Sequence, residues 1–369
     1  MLFVNYILTF IILITLLILY QKYQTKQKIQ DLNTDTDLKK YLLSESSLTK
    51  SKKPILWIYV PHEYNSRNWT SFGSRSSFEV NQPYLYLTLK SIIKNCDNSF
   101  KIYLIDDASF KKLIPNWDIN LLNIGEPTLS YIRQMAMAKL IYIYGGVSVP
   151  LSFLCFRDLI DLYKKGTRGN KMFVCENTNS NITSSSNLYY PDASFMGANK
   201  QNNMVKEYIN FMERTISHDF TAQITFLGDF NRWCNKKVNN QMLNLITATD
   251  MGVKTILDEP VTIERLLGQD YIDFYKNMYG IWIPADIILK RTHYEWFSRM
   301  SAEQIFQSKF ILAKYFVLSL APDSKHGVIA PLEGKPDWIS FWRTPKINIW
   351  GLMPQNLGNK VQRELYPNY

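Results

Sequence analysis

Two adjacent carboxylates, Asp106 and Asp107, directly follow the apolar run FKIYLI at residues 100–105. Such a run predicts a buried strand, and α/β proteins bind ligands beyond the carboxyl ends of their parallel strands. A carboxylate there can accept a hydroxyl proton, ligate a metal or act in acid–base chemistry. Asp219, in a turn-like stretch, is a third candidate catalytic acid. The alternative for Asp107 is that its side chain caps the turn into ASFKKLI.

Positive and aromatic side chains that could hold a phosphate or a nucleobase occur nearby in the sequence. Arg67 lies in the polar, aromatic segment 61–84, and Arg133 lies on a later helical pattern. Arginine binds phosphate through a fork of N–H donors. Tyr59 and His62 stand at the end of the first apolar run and are candidate contacts to a base or phosphate. The alternatives are surface solubility for the segment and a salt-bridged or solvated Arg133.

The elements that must position these residues alternate between strand and helix. Strands are predicted at 55–60, 100–105, 171–175 and 252–257, and helices at 83–94, 128–143, 202–216 and 301–319. This alternation predicts an α/β fold with a mostly parallel sheet flanked by helices. After the helix at 128–143, Gly145 and Gly146 are expected to end the helix and let the backbone turn.

The sequence resembles one family of enzymes at several of these elements in order, from ILWIYV through FKIYLIDDASFKKLIP to AKLIYIYGGVSVPLSFLCFRDL. It resembles the glycosyltransferases of the family 32 and capsular-polysaccharide-synthesis type over about residues 54–260. The resemblance implies the Rossmann-like GT-A fold, a nucleotide-sugar donor, and a glycan or glycoprotein acceptor. Tyr59, His62, Arg67, Arg133, Gly145 and Gly146 are the candidate nucleotide-sugar-binding residues. The whole chain also resembles uncharacterised membrane-anchored proteins of large DNA viruses.

The sequence departs from this family where its members hold a divalent metal. The two metal-binding carboxylates of the family's Asp-x-Asp element correspond here to Pro150 and Ser152. Neither supplies an anionic oxygen, so the sequence predicts no metal site and puts a metal cofactor in question. The family's Asp and Arg on the preceding helix correspond to Gln134 and Met137, which follow Arg133 by one and four residues.

Two functions of different classes are therefore predicted. The first is a glycosyltransferase whose atypical site uses the 61–84 segment, Asp106, Asp107 and Arg133. The second is a non-catalytic scaffold or structural membrane protein, with a protein partner at 61–84 and a place in a virus particle or its assembly membrane.

The N-terminus predicts a membrane anchor. Residues 1–20 carry no charged side chain and are long enough to cross a bilayer as a helix, so we assign 1–21 as a transmembrane anchor. A polar stalk at 22–53 and a glycosyltransferase-like body at 54–369, with a helical C-terminal extension, are expected to follow. Lysines just after the anchor predict a cytosolic body. The resemblance to viral proteins implies a viral or host internal membrane. Two glycosylation triplets, at Asn68 and Asn181, favour a lumenal body instead.

Composition excludes several other classes of protein. The 369 residues are 46% hydrophobic and 20% charged, which is globular composition and excludes a disordered chain. The net charge of +10 is spread along the chain, whereas a nucleic-acid-binding module concentrates it, so no nucleic-acid partner is expected. The four cysteines lie far apart and predict neither a disulfide framework nor a zinc site.

Overall fold

A computed structural model describes residues 53–60, 82–125, 128–178, 188–217, 228–290 and 293–320. The chain divides into two units, Met1–Leu48 and Thr49–Tyr369, and every described residue belongs to the second. Its strands are β1 (Ile55–Tyr59), β2 (Lys101–Ile105), β3 (Gly146–Ser148), β4 (Phe153–Cys155), β5 (Phe173–Thr178), β6 (Tyr189–Ala198), β7 (Asn244–Ile246) and β8 (Gly280–Trp282).

Helices account for most of the remaining described chain. They are α1 (Pro83–Cys96), α2 (Asp107–Leu113), α3 (Thr128–Tyr144), α4 (Ile160–Gly166), α5 (Asn203–Ser217), α6 (Asp229–Asn239), α7 (Ile263–Leu266), α8 (Ala285–Lys290), α9 (Glu295–Ser298), α10 (Ala302–Phe306) and α11 (Ile311–Leu320). α1 begins with a proline in its first turn, where the missing N–H costs no hydrogen bond.

Six strands form one sheet in the order β2-β1-β3-β6-β5-β7. β1 runs parallel to β2 and β3, and β5 runs parallel to β7, whereas β6 is antiparallel to both of its neighbours. The predicted α/β fold, with a mostly parallel sheet flanked by helices, is confirmed. A separate two-stranded sheet pairs β4 with β8 in antiparallel fashion.

The core lies on both faces of the large sheet. Four of the five β1 residues are buried, and Trp57 at its centre is completely buried. Apolar side chains on both faces of a strand require cover from both sides, which explains the continuous apolar run at this position. α3 packs against β3 and β6 of this sheet, whereas α1 packs against β4 of the small sheet.

Two of the predicted elements are wrong. Residues 252–257 form turns instead of a strand, because Asp258 adopts a positive φ of 65° and Pro260 closes the turn back onto Lys254. The predicted helix at 301–319 is two helices, α10 and α11. The backbone N–H of Ile311 donates to the carbonyl of Gly268 at 2.6 Å, so the helical hydrogen bonding is interrupted there.

The predicted anchor at 1–21, nearly all of the predicted stalk, and residues 61–81 lie outside the described residues. In the ranges that are described, no helix combines the length and the apolar character needed to cross a bilayer.

Candidate functional site

A pocket of about 480 Å³ opens beyond the carboxyl ends of the parallel strands β1 and β3. Its volume is in the range of small-molecule sites, and its position is where open parallel sheets bind ligands. Its lining mixes apolar with a few polar side chains: Tyr59, Gln82, Leu85, Ser130, Arg133, Gln134, Met137, Ser148, Val149, Pro150, Leu151, Ser152, Ala193, Ser194, Ala285 and Asp286.

One face of α3 forms a wall of the pocket. Ser130, Arg133, Gln134 and Met137 all line it, and their spacing places them on the same side of an α-helix. The chain from Ser148 to Ser152, directly after β3, also lines it.

The four positions at which the sequence departs from the glycosyltransferase pattern meet in this pocket. Gln134 and Met137 contribute from α3, and Pro150 and Ser152 contribute from the segment after β3. Ser152 is almost fully buried, and its carbonyl accepts the N–H of Ile283 at 3.1 Å. The structure therefore brings together the residues that the resemblance aligned with a donor site.

Arg133, Asp107 and Tyr59 form a connected cluster beside the pocket. Arg133 Nε donates to Asp107 Oδ1 at 3.1 Å, and its Nη2 donates to Oδ2 at 2.7 Å. Tyr59 donates its hydroxyl to Asp107 Oδ1 at 2.6 Å, and the guanidinium carbon lies 5.6 Å from the Tyr59 ring centre. The side chains of Arg133 and Asp107 are only 13% and 22% exposed. Tyr59 and Arg133 line the pocket, whereas Asp107 binds both without lining it.

Asp106, and not Asp107, is the helix cap. Asp106 is the N-cap of α2, and its Oδ1 accepts the backbone N–H of Ser109 at 2.9 Å. The Ser109 hydroxyl in turn accepts the backbone N–H of Asp106 at 3.2 Å, which completes a capping box. The interpretation of Asp107 as the cap is therefore wrong, and Asp106 does not line the pocket.

Gly145 and Gly146 end α3 with positive φ values of 75° and 104°, as the sequence predicts. A Cβ on Gly146 would lie 2.1 Å from the carbonyl oxygen of Ile55. A Cβ on Gly145 would lie 2.9 Å from the backbone nitrogen of Lys200. The Gly145 carbonyl accepts the indole N–H of Trp57 at 3.0 Å. Neither glycine lines the pocket, and their predicted contact with a nucleotide-sugar stays a prediction.

Three predicted site residues, His62, Arg67 and Asp219, lie outside the described residues. Tyr59 and Gln82, which lie on either side of residues 61–81 in the sequence, both line the pocket.

Sequence reasoning missed Asp286, which is the acid among the described lining residues and is exposed. It opens α8 just after β8, a strand of three residues that is too short to show a periodicity. The sequence offered one indication of this site. The apolar run GIWI at 280–283 is followed by Pro284 and, two residues later, by Asp286.

Asp286 acts electrostatically on two tyrosines, the buried Tyr84 and the part-buried Tyr190. Burial raises the pKa of Tyr84, and the negative charge of Asp286 raises it further. Burial also raises the pKa of Tyr190, with additional contributions from the carboxylates of Asp192 and Asp286. The Tyr84 hydroxyl is buried with no hydrogen-bond partner among the described residues, as is Oε1 of Gln82.

The described residues that line the pocket do not fit a carboxylate-held metal. Among the described residues, no three His, Cys, Asp or Glu side chains gather in a group that could hold a metal ion. The two positions aligned with the family's metal ligands offer a proline ring and a serine hydroxyl. A hard divalent cation favours several charged oxygen ligands, and this donor set does not supply them.

Comparison with known proteins assigns no family. No family profile matches the chain, and no curated protein matches it. Five chains among the solved structures do match. One is an active-site mutant of LgtC, at 12% sequence identity and a TM-score of 0.29, covering 55% of this chain and 75% of that one. A likeness this distant carries no argument about function.

Proposed function

We propose that this chain is a membrane-anchored, glycosyltransferase-like protein that binds a nucleotide-sugar without a carboxylate-held metal. One observation carries the proposal. A pocket of suitable size lies beyond β1 and β3, and its wall contains all four positions that the resemblance aligns with a donor site. The mostly parallel sheet with one reversed strand is compatible with the GT-A fold that the resemblance implies.

Such a site must above all neutralise the negative charge of the leaving diphosphate. When a sugar is transferred, the acceptor oxygen bonds to the anomeric carbon, the bond from that carbon to the diphosphate breaks, and the diphosphate leaves with added negative charge. Arg133 offers N–H donors at the pocket, but its charge is balanced by Asp107. The proposal therefore assigns additional positive charge to Arg67, with His62 five residues before it in sequence.

Calorimetric titration of the full chain in detergent micelles tests the proposal directly. The ligands are a panel of nucleoside diphosphates and nucleotide-sugars, each with and without Mn²⁺. We expect saturable binding of at least one nucleotide-sugar that Mn²⁺ does not change. Binding that requires Mn²⁺ would refute the metal-independent site, and absence of binding by folded protein would refute the donor site altogether.

One variant and its control test whether Arg67 contacts the nucleotide. Arg67→Gln is expected to weaken nucleotide binding roughly tenfold, which is the worth of one charge-assisted contact. Arg168→Gln changes an exposed arginine that does not line the pocket, and it is the matched control.

A non-catalytic scaffold is the second candidate. The observation that favours it is that both described catalytic candidates are held by internal contacts. Asp107 binds Arg133 and Tyr59, and Asp106 caps α2. In that case a folded protein binds no nucleotide, and the 61–84 segment retains a protein partner that Arg67→Glu releases.

Membrane orientation is part of the proposal. A single span at 1–21 with a cytosolic body predicts that Asn68 and Asn181 carry no glycan and that protease added to sealed membranes digests the body. Glycans at either asparagine would place the body in the lumen.

A further inference from the structure

A local irregularity of the large sheet shapes one side of the pocket. Opposite β5, the pairing of β6 jumps from Met196 to Asp192, so residues 193–195 have no partner on that strand. Asp192 holds this bulge, because its Oδ1 accepts the N–H of Ser194 at 2.9 Å and its Oδ2 accepts Nδ2 of Asn177 at 3.1 Å. Bulges of this kind re-aim side chains next to binding sites, and Ala193 and Ser194 line the pocket here.

The bulge packs against the strand that leads to Asp286. Phe195, next to Ser194, is buried and meets Trp282 edge to face, with ring centres 5.8 Å apart. Trp282 ends β8, and α8 begins three residues later with Ala285 and Asp286. Ser194 and Asp286 both line the pocket, the first beside Phe195 and the second four residues after Trp282.

The side chains of Asp286 and Ser194 suit a neutral ligand group that carries several hydroxyls. Asp286 is an exposed carboxylate, and a carboxylate can accept two hydroxyls in short, charge-assisted hydrogen bonds. Ser194 is exposed and adds a hydroxyl that can both donate and accept. Leu151, Ala193 and Ala285 line the same pocket with apolar surface that can cover the C–H groups of a sugar ring.

Arg133 and its aromatic neighbour Tyr59, from α3 and β1, bring a guanidinium and an aromatic ring to the same pocket. We infer that Asp286, together with Ser194, binds the hydroxyl groups of the ligand's hexose and is the specificity-determining residue for the sugar. This inference rests on the proposed function, because it assigns one part of the same ligand to one part of the same pocket.

Comparison of a nucleotide with its hexose conjugate isolates this role. The full chain in detergent micelles is titrated calorimetrically with UDP, UDP-glucose, GDP and GDP-mannose, in wild type, Asp286→Asn and Ser194→Ala. Asp273→Asn, an exposed acid that does not line the pocket, is the matched control, and thermal unfolding verifies that each variant is folded.

We expect Asp286→Asn to weaken binding of a hexose conjugate roughly tenfold and to leave the parent nucleoside diphosphate within about twofold. Ser194→Ala should weaken the conjugate less, and Asp273→Asn should change neither ligand. Equal loss of both ligands, or loss of neither, would overturn the assignment of Asp286.

A second measurement decides the inference if the wild type binds no nucleotide, which would already refute the proposed function. Saturation-transfer NMR is then recorded with millimolar methyl glucoside, methyl galactoside and methyl mannoside. A signal that wild type gives and Asp286→Asn lacks supports the hydroxyl-binding role. No signal from any of the three glycosides with wild type overturns it.

Discussion

The carboxylate of Asp107 illustrates how a residue with catalytic potential becomes part of the framework of a site. It binds two donors of Arg133 and the hydroxyl of Tyr59, and both of those side chains line the pocket. Asp107 therefore fixes the geometry of two pocket residues without lining the pocket itself. Within the proposed function, Asp107 is a positioning residue and Arg133 is the group that meets the ligand.

A double-mutant cycle measures the strength of this pair. Asp107→Asn and Arg133→Gln are each expected to lower the free energy of unfolding by about 1.5–3 kcal/mol, because each leaves a largely buried charged partner incompletely bonded. The coupling energy from urea unfolding of the two single variants and the double variant should exceed 1 kcal/mol, roughly the upper limit for exposed pairs.

The control is the ion pair of Lys254 and Asp258, in which the aspartate side chain is 78% exposed. Its coupling energy should stay below about 1 kcal/mol. Equal coupling in the two pairs would show that burial gives the Asp107–Arg133 pair no special strength.

Single residues were predictable from the sequence where a strand end or a helical spacing placed them. Tyr59 ends β1 and Arg133 lies on α3, so both could be assigned to the site in advance. The exchange of roles between Asp106 and Asp107 was not predictable, because either residue can cap a helix. Asp286 was missed because its position depends on the β4–β8 pairing, which is distant in sequence.

Among the elements, the junction between α3 and β3 is constrained most tightly. Gly146 adopts a φ of 104°, and it approaches β1 so closely that a Cβ would lie 2.1 Å from the Ile55 carbonyl oxygen. The junction therefore needs glycine for the packing of the sheet, whatever ligand the pocket takes.

Gly146→Ala tests this constraint. We expect a loss of roughly 3 kcal/mol or more in unfolding free energy, since the variant combines backbone strain with a clash against a buried strand. Gly125→Ala is the control, because a Cβ there would meet no atom of the described residues within 4 Å. Denaturant unfolding that shows similar small losses for both variants would contradict the packing argument.

The order of elements could be predicted from apolar runs, and the regions of β1, β2 and β5 and of α1, α3 and α5 are confirmed. The false strand at 252–257 arose because Ile256 and Leu257 are apolar, although the structure exposes them at a turn. The strands β4, β7 and β8 have three residues each, and so short a stretch carries no pattern that distinguishes it from a loop.

At the scale of the whole molecule, the core holds all four cysteines as free, buried thiols. Burial raises the pKa of the Cys155, Cys175 and Cys234 thiols. In the unfolded chain these thiols ionise near pH 8.5. Above that pH the unfolded state binds fewer protons than the native state, so stability falls as pH rises.

Two readouts follow from these thiols. Ellman's reagent at pH 8 should leave the native protein unlabelled and should titrate four thiols per chain after unfolding in urea. The free energy of unfolding should decline from about pH 8.5 upward, by up to about 1.4 kcal/mol per pH unit for each of the three thiols. Rapid labelling of the native protein, or stability that is flat up to pH 10, would contradict this account.

The pairing of β4 with β8 has a consequence for the synthesis of the protein. The last of the six described strands of the large sheet ends at Ile246. By contrast, β4 ends about 125 residues before its partner β8 begins. At ribosomal rates of about 5–20 residues per second, synthesis of that stretch lasts roughly 6–25 s. During this interval the nascent chain exposes the edge of β4 and lacks the Asp286 side of the pocket. A chaperone that protects nascent chains would therefore act on this protein in the window between these two strands.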